Sequence, residues 1–176
     1  KEENFLKGDP NPTIESHAYA KRNGFLAGRF IHKQIGFPAF GYVLNNNFGI
    51  RDKMKGGKIV GTLIGRFDEA IKNGDKSITL WGTGECFREV IFSHDSALMI
   101  IDAIHKYNNV DEPLNLGSGQ DYTIKEIAET VADVIGFDGK IEWDHTKPEG
   151  AKRKILSIDK MNFYNIKKPV LSLREG

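Results

Sequence analysis

An α/β layered fold follows from three features of the sequence: four stretches with helical apolar spacing, short apolar segments between them, and glycines at the helix stops. Residues 1–14, with Asp9-Pro10-Asn11-Pro12-Thr13, read as a loop. Tyr19, Phe25, Leu26, Phe30 and Ile31 then predict a helix over 16–35 that stops at Gly36. Phe40–Asn46 reads as a strand. Ile59, Val60, Leu63, Ile64, Phe67 and Ile71 keep helical spacing up to Gly74.

Ser77–Trp81 and Arg88–Phe92 are strand segments flanking the turn Gly82-Thr83-Gly84. Ala97, Leu98, Ile100, Ile101 and Ile104 predict a helix over 94–106, and Pro113–Leu116 a short strand. Thr123-x-x-Glu126 forms a capping box for a helix that ends at Gly136, with Ile124, Ile127, Ala128, Val131 and Ile135 on its core face. Lys140–Trp143 is a last strand, followed by a basic loop. Lys1, not Met, opens the chain, and Leu171–Gly176 reads as the opening of a further helix. Both ends read as cut, by processing or otherwise.

Composition narrows the function classes. The 25 basic and 24 acidic residues leave a net charge of +1, which gives no electrostatic reason to expect a nucleic-acid or membrane partner. Cys86 is the sole cysteine, so no internal disulfide forms. No apolar run reaches the roughly 20 residues that span a bilayer, and no signal peptide is visible. The expectation is a soluble protein of a reducing compartment, the cytoplasm.

His17, His32, His94, His105 and His145 are scattered, which argues against a metal site, and His94-Asp95 reads as a helix cap. No G-x-S-x-G elbow occurs. No G-x-G-x-x-G or G-x-x-G-x-x-G turn occurs either, so the chain lacks the element that holds a dinucleotide pyrophosphate on a helix N-terminus. Gly82-Thr83-Gly84 and Gly117-Ser118-Gly119 are isolated pairs and read as plain turns.

Five segments recur in order: Pro10-Asn11-Pro12-Thr13, Ala18-x-Ala20-Lys21, Trp81-Gly82-Thr83-Gly84 with Arg88-Glu89, Asn115-Leu116-Gly117-Ser118-Gly119, and Lys147-Pro148-Glu149-Gly150 with Arg153-Lys154. Together they resemble the extended short-chain dehydrogenase/reductases, and within them the GDP-L-fucose synthases, over nearly the whole chain. The resemblance implies a partial Rossmann-like, doubly wound sheet lacking its first strands, plus a smaller α/β substrate-binding domain. Residues 1–56 would be the remnant of the nucleotide-binding domain, and 57–176 mainly the substrate-binding domain, with 88–119 returning to the nucleotide-binding sheet. It implies NADP in the family, but none on this chain alone.

The family's catalytic centre is Y-x-x-x-K, whose members share one helix face. The Lys position is Lys21, but His17 stands at the Tyr position. Tyr19, two residues from Lys21, faces roughly the other side of the helix. Imidazole is a competent acid/base yet shorter than a phenol, so His17 reads as a degenerate catalytic position. By the same resemblance Asn46 lies near the sugar, Arg88 in the best-kept segment reaches the substrate diphosphate, and Trp81 of that segment is a further substrate-binding candidate. Arg51 stands where a histidine is common; arginine cannot accept a proton there, and it reads equally as a phosphate ligand or an exposed loop residue. Arg153 and Lys154 are candidates for the nucleotide, Lys147 and Lys152 weaker ones, and Cys86 reads as incidental.

The expected function is a fragment of a nucleotide-sugar epimerase/reductase that binds a GDP-sugar without independent catalysis. The alternative is a scaffold subunit that binds no nucleotide sugar. In either case an exposed sheet edge calls for a protein partner or a second copy.

Overall fold

Glycines close three of the four long helices where the sequence places the stops: Gly36, Gly74 and Gly136 all cap in the left-handed conformation, at φ 69°, 72° and 82°. The computed structural model describes residues 1–176, the side chain of Thr13 excepted. Helix α1 spans Glu15–Ile35, α2 Ile59–Asn73, α3 Ser93–Lys106 and α4 Ile124–Ile135, with a short α5 at Asp159–Phe163. Among the described residues no helix is long and apolar enough to cross a membrane.

The strands pair mostly in parallel, as an α/β layer requires. β1 (Tyr42–Leu44) runs parallel to β6 (Leu114–Leu116), β2 (Asn46–Phe48) to β5 (Val90–Phe92), and β3 (Ser77–Trp81) to β8 (Lys140–Asp144). β4 (Phe87–Arg88) lies between β7 (Tyr122–Thr123), antiparallel, and β9 (Arg153–Lys154), parallel. The α/β, doubly wound reading holds.

Two expected strands are each divided in two. Phe40–Asn46 breaks at Asn45, and Arg88–Phe92 breaks at Glu89. The chain changes partner at each break, and the two breaks are bonded to one another: Asn45 Nδ2 donates to Glu89 Oε2 at 2.9 Å. Glu89 is fully buried, and its carboxylate also accepts from Ser118 N and Oγ, Gly119 N and Leu156 N. One side chain thereby ties together four segments of the chain.

Two apolar clusters flank this crossing. The larger packs Val60, Leu63, Phe67 and Ala70 of α2 against Ile127, Ala128, Val131 and Ala132 of α4, with Leu80 of β3 and Phe137 joining them. The smaller packs Met99 and Ala103 of α3 with Leu114, Leu116, Tyr107, Met161 and Ile166. α4 starts as its sequence predicts: Thr123 Oγ1 accepts from Glu126 N at 3.0 Å, and the Glu126 carboxylate accepts from Thr123 N at 2.7 Å.

Residues 1–14 are more ordered than a loop. Two 3-10 turns, Glu2–Asn4 and Pro12–Ile14, lie in this segment. Phe5 packs edge-to-face on Phe25, and Arg22 donates to Gly8 O at 2.7 Å and Lys7 O at 3.0 Å. The α3 start also departs from expectation. Asp95 does not cap the helix; it is buried and accepts from Val170 N and Leu171 N, at 3.0 and 2.9 Å. The far end does open a helical turn, for Glu175 accepts from Ser172 N and Oγ.

Candidate functional site

A cavity of about 230 Å³ opens where β3, the Gly82-Thr83-Gly84 turn, β4 and the loop after β8 meet. Its walls include Asn46, Trp81, Cys86 and Arg88, with Pro148, Glu149 and Gly150 across from them. Three of the residues singled out from the sequence, Asn46, Trp81 and Arg88, thus arrive on one cavity from β2, β3 and β4. Ile59 and Ile124, the first residues of α2 and α4, supply its apolar floor.

The turn is built for close approach. Gly82 and Gly84 hold φ of 84° and 79°, and a Cβ on Gly84 would lie 2.8 Å from the Trp143 ring. The Trp81 indole is 65% exposed, leaving a wide aromatic face beside the cavity, and Lys147 Nζ lies 5.9 Å from its ring centroid. Asn46 Nδ2 donates to Glu89 O at 3.0 Å, which fixes its amide against β5.

Arg88 is half-buried, and its Nη1 donates to Phe87 O at 2.6 Å and Ala151 O at 2.7 Å. Those bonds hold its guanidinium in the cavity wall. Arg153, on the neighbouring strand β9, is forked onto Asp121 at 2.6 and 3.2 Å and lies over the Phe87 ring. The hydrogen bond and charge of Asp121 push its pKa up from the ordinary arginine value, so it stays a fixed cation. Lys154 is exposed beside it.

The remaining sequence candidates lie elsewhere. His17 and Lys21 are exposed on α1, one turn apart on one face, outside the cavity. Tyr19 is turned to Asp9, its hydroxyl 3.3 Å from Oδ1; desolvation and then the Asp9 charge raise its phenol pKa. Arg51 is exposed on the turn after β2, beside a second, more apolar cavity of about 330 Å³ lined by Phe48, Met54, Val60, Val131 and Leu173. Among the described residues no cluster of three His, Cys, Asp or Glu is placed to hold a metal ion.

Glu149 was not legible as a site residue. Its Oε1 accepts from both Thr83 N and Thr83 Oγ1, the latter at 2.6 Å, and Cys86 Sγ lies 3.8 Å from Oε2. Those Thr83 bonds hold its carboxyl below the usual range. Its partner is 66 residues away, beyond the reach of any local pattern.

Comparison with known proteins extends this picture. A probable GDP-L-fucose synthase 1 of Oryza sativa subsp. japonica is 36% identical over 99% of this chain and 53% of its own length. The GDP-L-fucose synthase of Escherichia coli (strain K12) is 29% identical over 92% of this chain and 53% of its own. The crystal structure of a GDP-L-fucose synthetase from Naegleria fowleri superposes with a TM-score of 0.88 at 25% identity, covering 99% of this chain and 57% of that one. A structure of the Naegleria fowleri synthetase bound to NADP matches equally well, at a TM-score of 0.88. The chain spans about half the length of the curated relatives it matches. The model of the NAD dependent epimerase/dehydratase family matches residues 1–117, two thirds of the chain, and the chain belongs to that family.

Proposed function

We propose that this chain carries the sugar-nucleotide pocket of a GDP-sugar epimerase/reductase and does not perform the redox chemistry alone. The observation that carries the proposal is the convergence of Asn46, Trp81 and Arg88 on one cavity, beside the cationic strand Arg153–Lys154. An exposed indole offers a stacking face for a purine, and a guanidinium fork suits diphosphate oxygens. Asn46 is placed to meet the sugar. The relatives named above are GDP-L-fucose synthases, which supports GDP as the nucleotide.

The NADP-dependent step of such relatives needs a cofactor-binding half and a phenol one turn before Lys21. This sequence has no glycine-rich dinucleotide turn and has His17 at that position. A companion α/β half is therefore part of the proposal. It would cover α1, which among the described residues buries none fully and exposes Phe30, Ile31 and Ile35, and would add a strand to the free edge of β1. On this reading residues 1–56 and 88–119 belong to the nucleotide-binding layer and the rest mainly to the substrate-binding domain. The smaller apolar cluster supports grouping α3, β5 and β6 in one layer, with Tyr42 and Leu44 of β1 at its margin. Met161 of α5 and Ile166 join the same layer from the later part of the chain.

Calorimetric titration of the purified chain with GDP, and separately with NADPH, tests the reading. GDP binding without NADPH binding is expected. Binding of neither would favour a scaffold role, and NADPH consumption with a GDP-4-keto sugar by the chain alone would restore an enzyme.

A further inference from the structure

The loop between β8 and β9 leaves regular structure at His145 and rejoins it at Arg153, and every residue from 145 to 152 is exposed. Its Pro148, Glu149 and Gly150 nevertheless form one wall of the 230 Å³ cavity. The flanks are fastened by main-chain bonds: Lys147 N to Asp144 O at 3.3 Å, and Phe87 N to Lys152 O at 2.8 Å. Arg88 adds its bond to Ala151 O.

The tip is held differently. Glu149 reaches across to the opposite turn, and one carboxylate oxygen takes both donors of Thr83. That side chain presses on Gly82, where an added Cβ would come within 2.7 Å of Oε1. Beneath it lies Cys86, 7% exposed, with its sulfur 3.8 Å from both Glu149 Oε2 and Gly150 O.

We propose that residues 147–151 form a lid on this cavity and that Glu149 is the latch that holds it closed on Thr83. The flanks then act as hinges, the Arg88 bond to Ala151 O staying in place at one of them, and a ligand enters when the Glu149–Thr83 tie lets go. A tie made by an exposed carboxylate in contact with water is the kind that opens and recloses without unfolding its surroundings. The lid draws on the GDP reading above for the identity of its occupant and stands on the loop contacts for its own existence.

Cys86, the sole thiol of the chain, reports the state of the lid. Its alkylation by N-ethylmaleimide, followed by mass spectrometry, reads cavity opening most directly in Thr83→Ala, which keeps the Glu149 charge beside the sulfur. Losing two hydrogen bonds to a charged group in Glu149→Ala is expected to speed the reaction on the order of tenfold or more. Thr83→Ala should also speed it, and the double variant should react no faster than Glu149→Ala, because both changes cut one tie. Thermal melts establish that the variants remain folded.

An unchanged rate in folded Glu149→Ala, or additive accelerations in the double variant, would overturn the latch. GDP added to the wild-type chain should slow alkylation. If the variants accelerate while GDP has no effect, the lid stands and the nucleotide assignment falls.

Discussion

Arg88 lies in the cavity wall with its guanidinium steadied by two carbonyls, so its position does not depend on a ligand. Replacing it with Ala removes a charge-assisted fork, and GDP affinity is expected to fall about tenfold or more, with guanosine little affected. Titration of both ligands into Arg88→Ala measures the split. Glu89, by contrast, is a residue of the scaffold. Oε1 takes three donors and Oε2 two, so the amide of Glu89→Gln meets donors whichever way it is turned. A loss of about 1–3 kcal/mol in denaturant unfolding is the expected outcome. Sequence reading singled out Asn46, Trp81 and Arg88, which line one cavity, because each stands in a segment with a recognisable order of residue types. It missed Glu89 and Glu149 as hubs because their partners come from distant parts of the chain, and short spacing rules carry no record of such contacts.

Helices were the most legible elements. Apolar spacing and terminal glycines located α1 to α4 within a residue or two, and Thr123-x-x-Glu126 forms the capping box that it spells. Thr123→Ala should cost about 1 kcal/mol, read as a lower melting temperature. Glu126 also links the box to pH. Bonds from the Thr123 backbone and hydroxyl lower its folded-state pKa below its unfolded value. Its contribution is therefore present above the ordinary glutamate pKa and is lost as pH falls through the lower, folded value. The melting-temperature gap between wild type and Glu126→Gln should shrink across that acidic window. Strands were legible as segments, except the two-residue β7 and β9, the latter lying in the basic loop after the strand expected to be last, and not as pairings. The breaks at Asn45 and Glu89 escaped notice because polar residues also occur inside strands, and only the change of partner divides each run.

Across the molecule, apolar surface is unevenly spent. The α2–α4 cluster buries most of its side chains around a shared cavity, whereas α1 leaves Ile35 75% exposed and α3 leaves Leu98, Ile101 and Ile104 in solvent. Alternating elements announced the layer, but not which of its apolar faces would be left open. A melting temperature that rises with protein concentration is expected of such a surface, through association. A sharp transition at one temperature across a hundredfold dilution, with monomer by sedimentation, would refute that expectation.

The order of strand pairing has a temporal consequence. Tyr42 waits for Leu114, Ser77 for Lys140, and Phe87 for Arg153, and no strand of the sheets pairs with its immediate successor in the chain. Closing such distant contacts is slow relative to local helix formation. During synthesis, helices α1 and α2 can exist well before the cleft does, and a ribosome-bound chain stopped ahead of residue 140 should be helical yet blind to nucleotide.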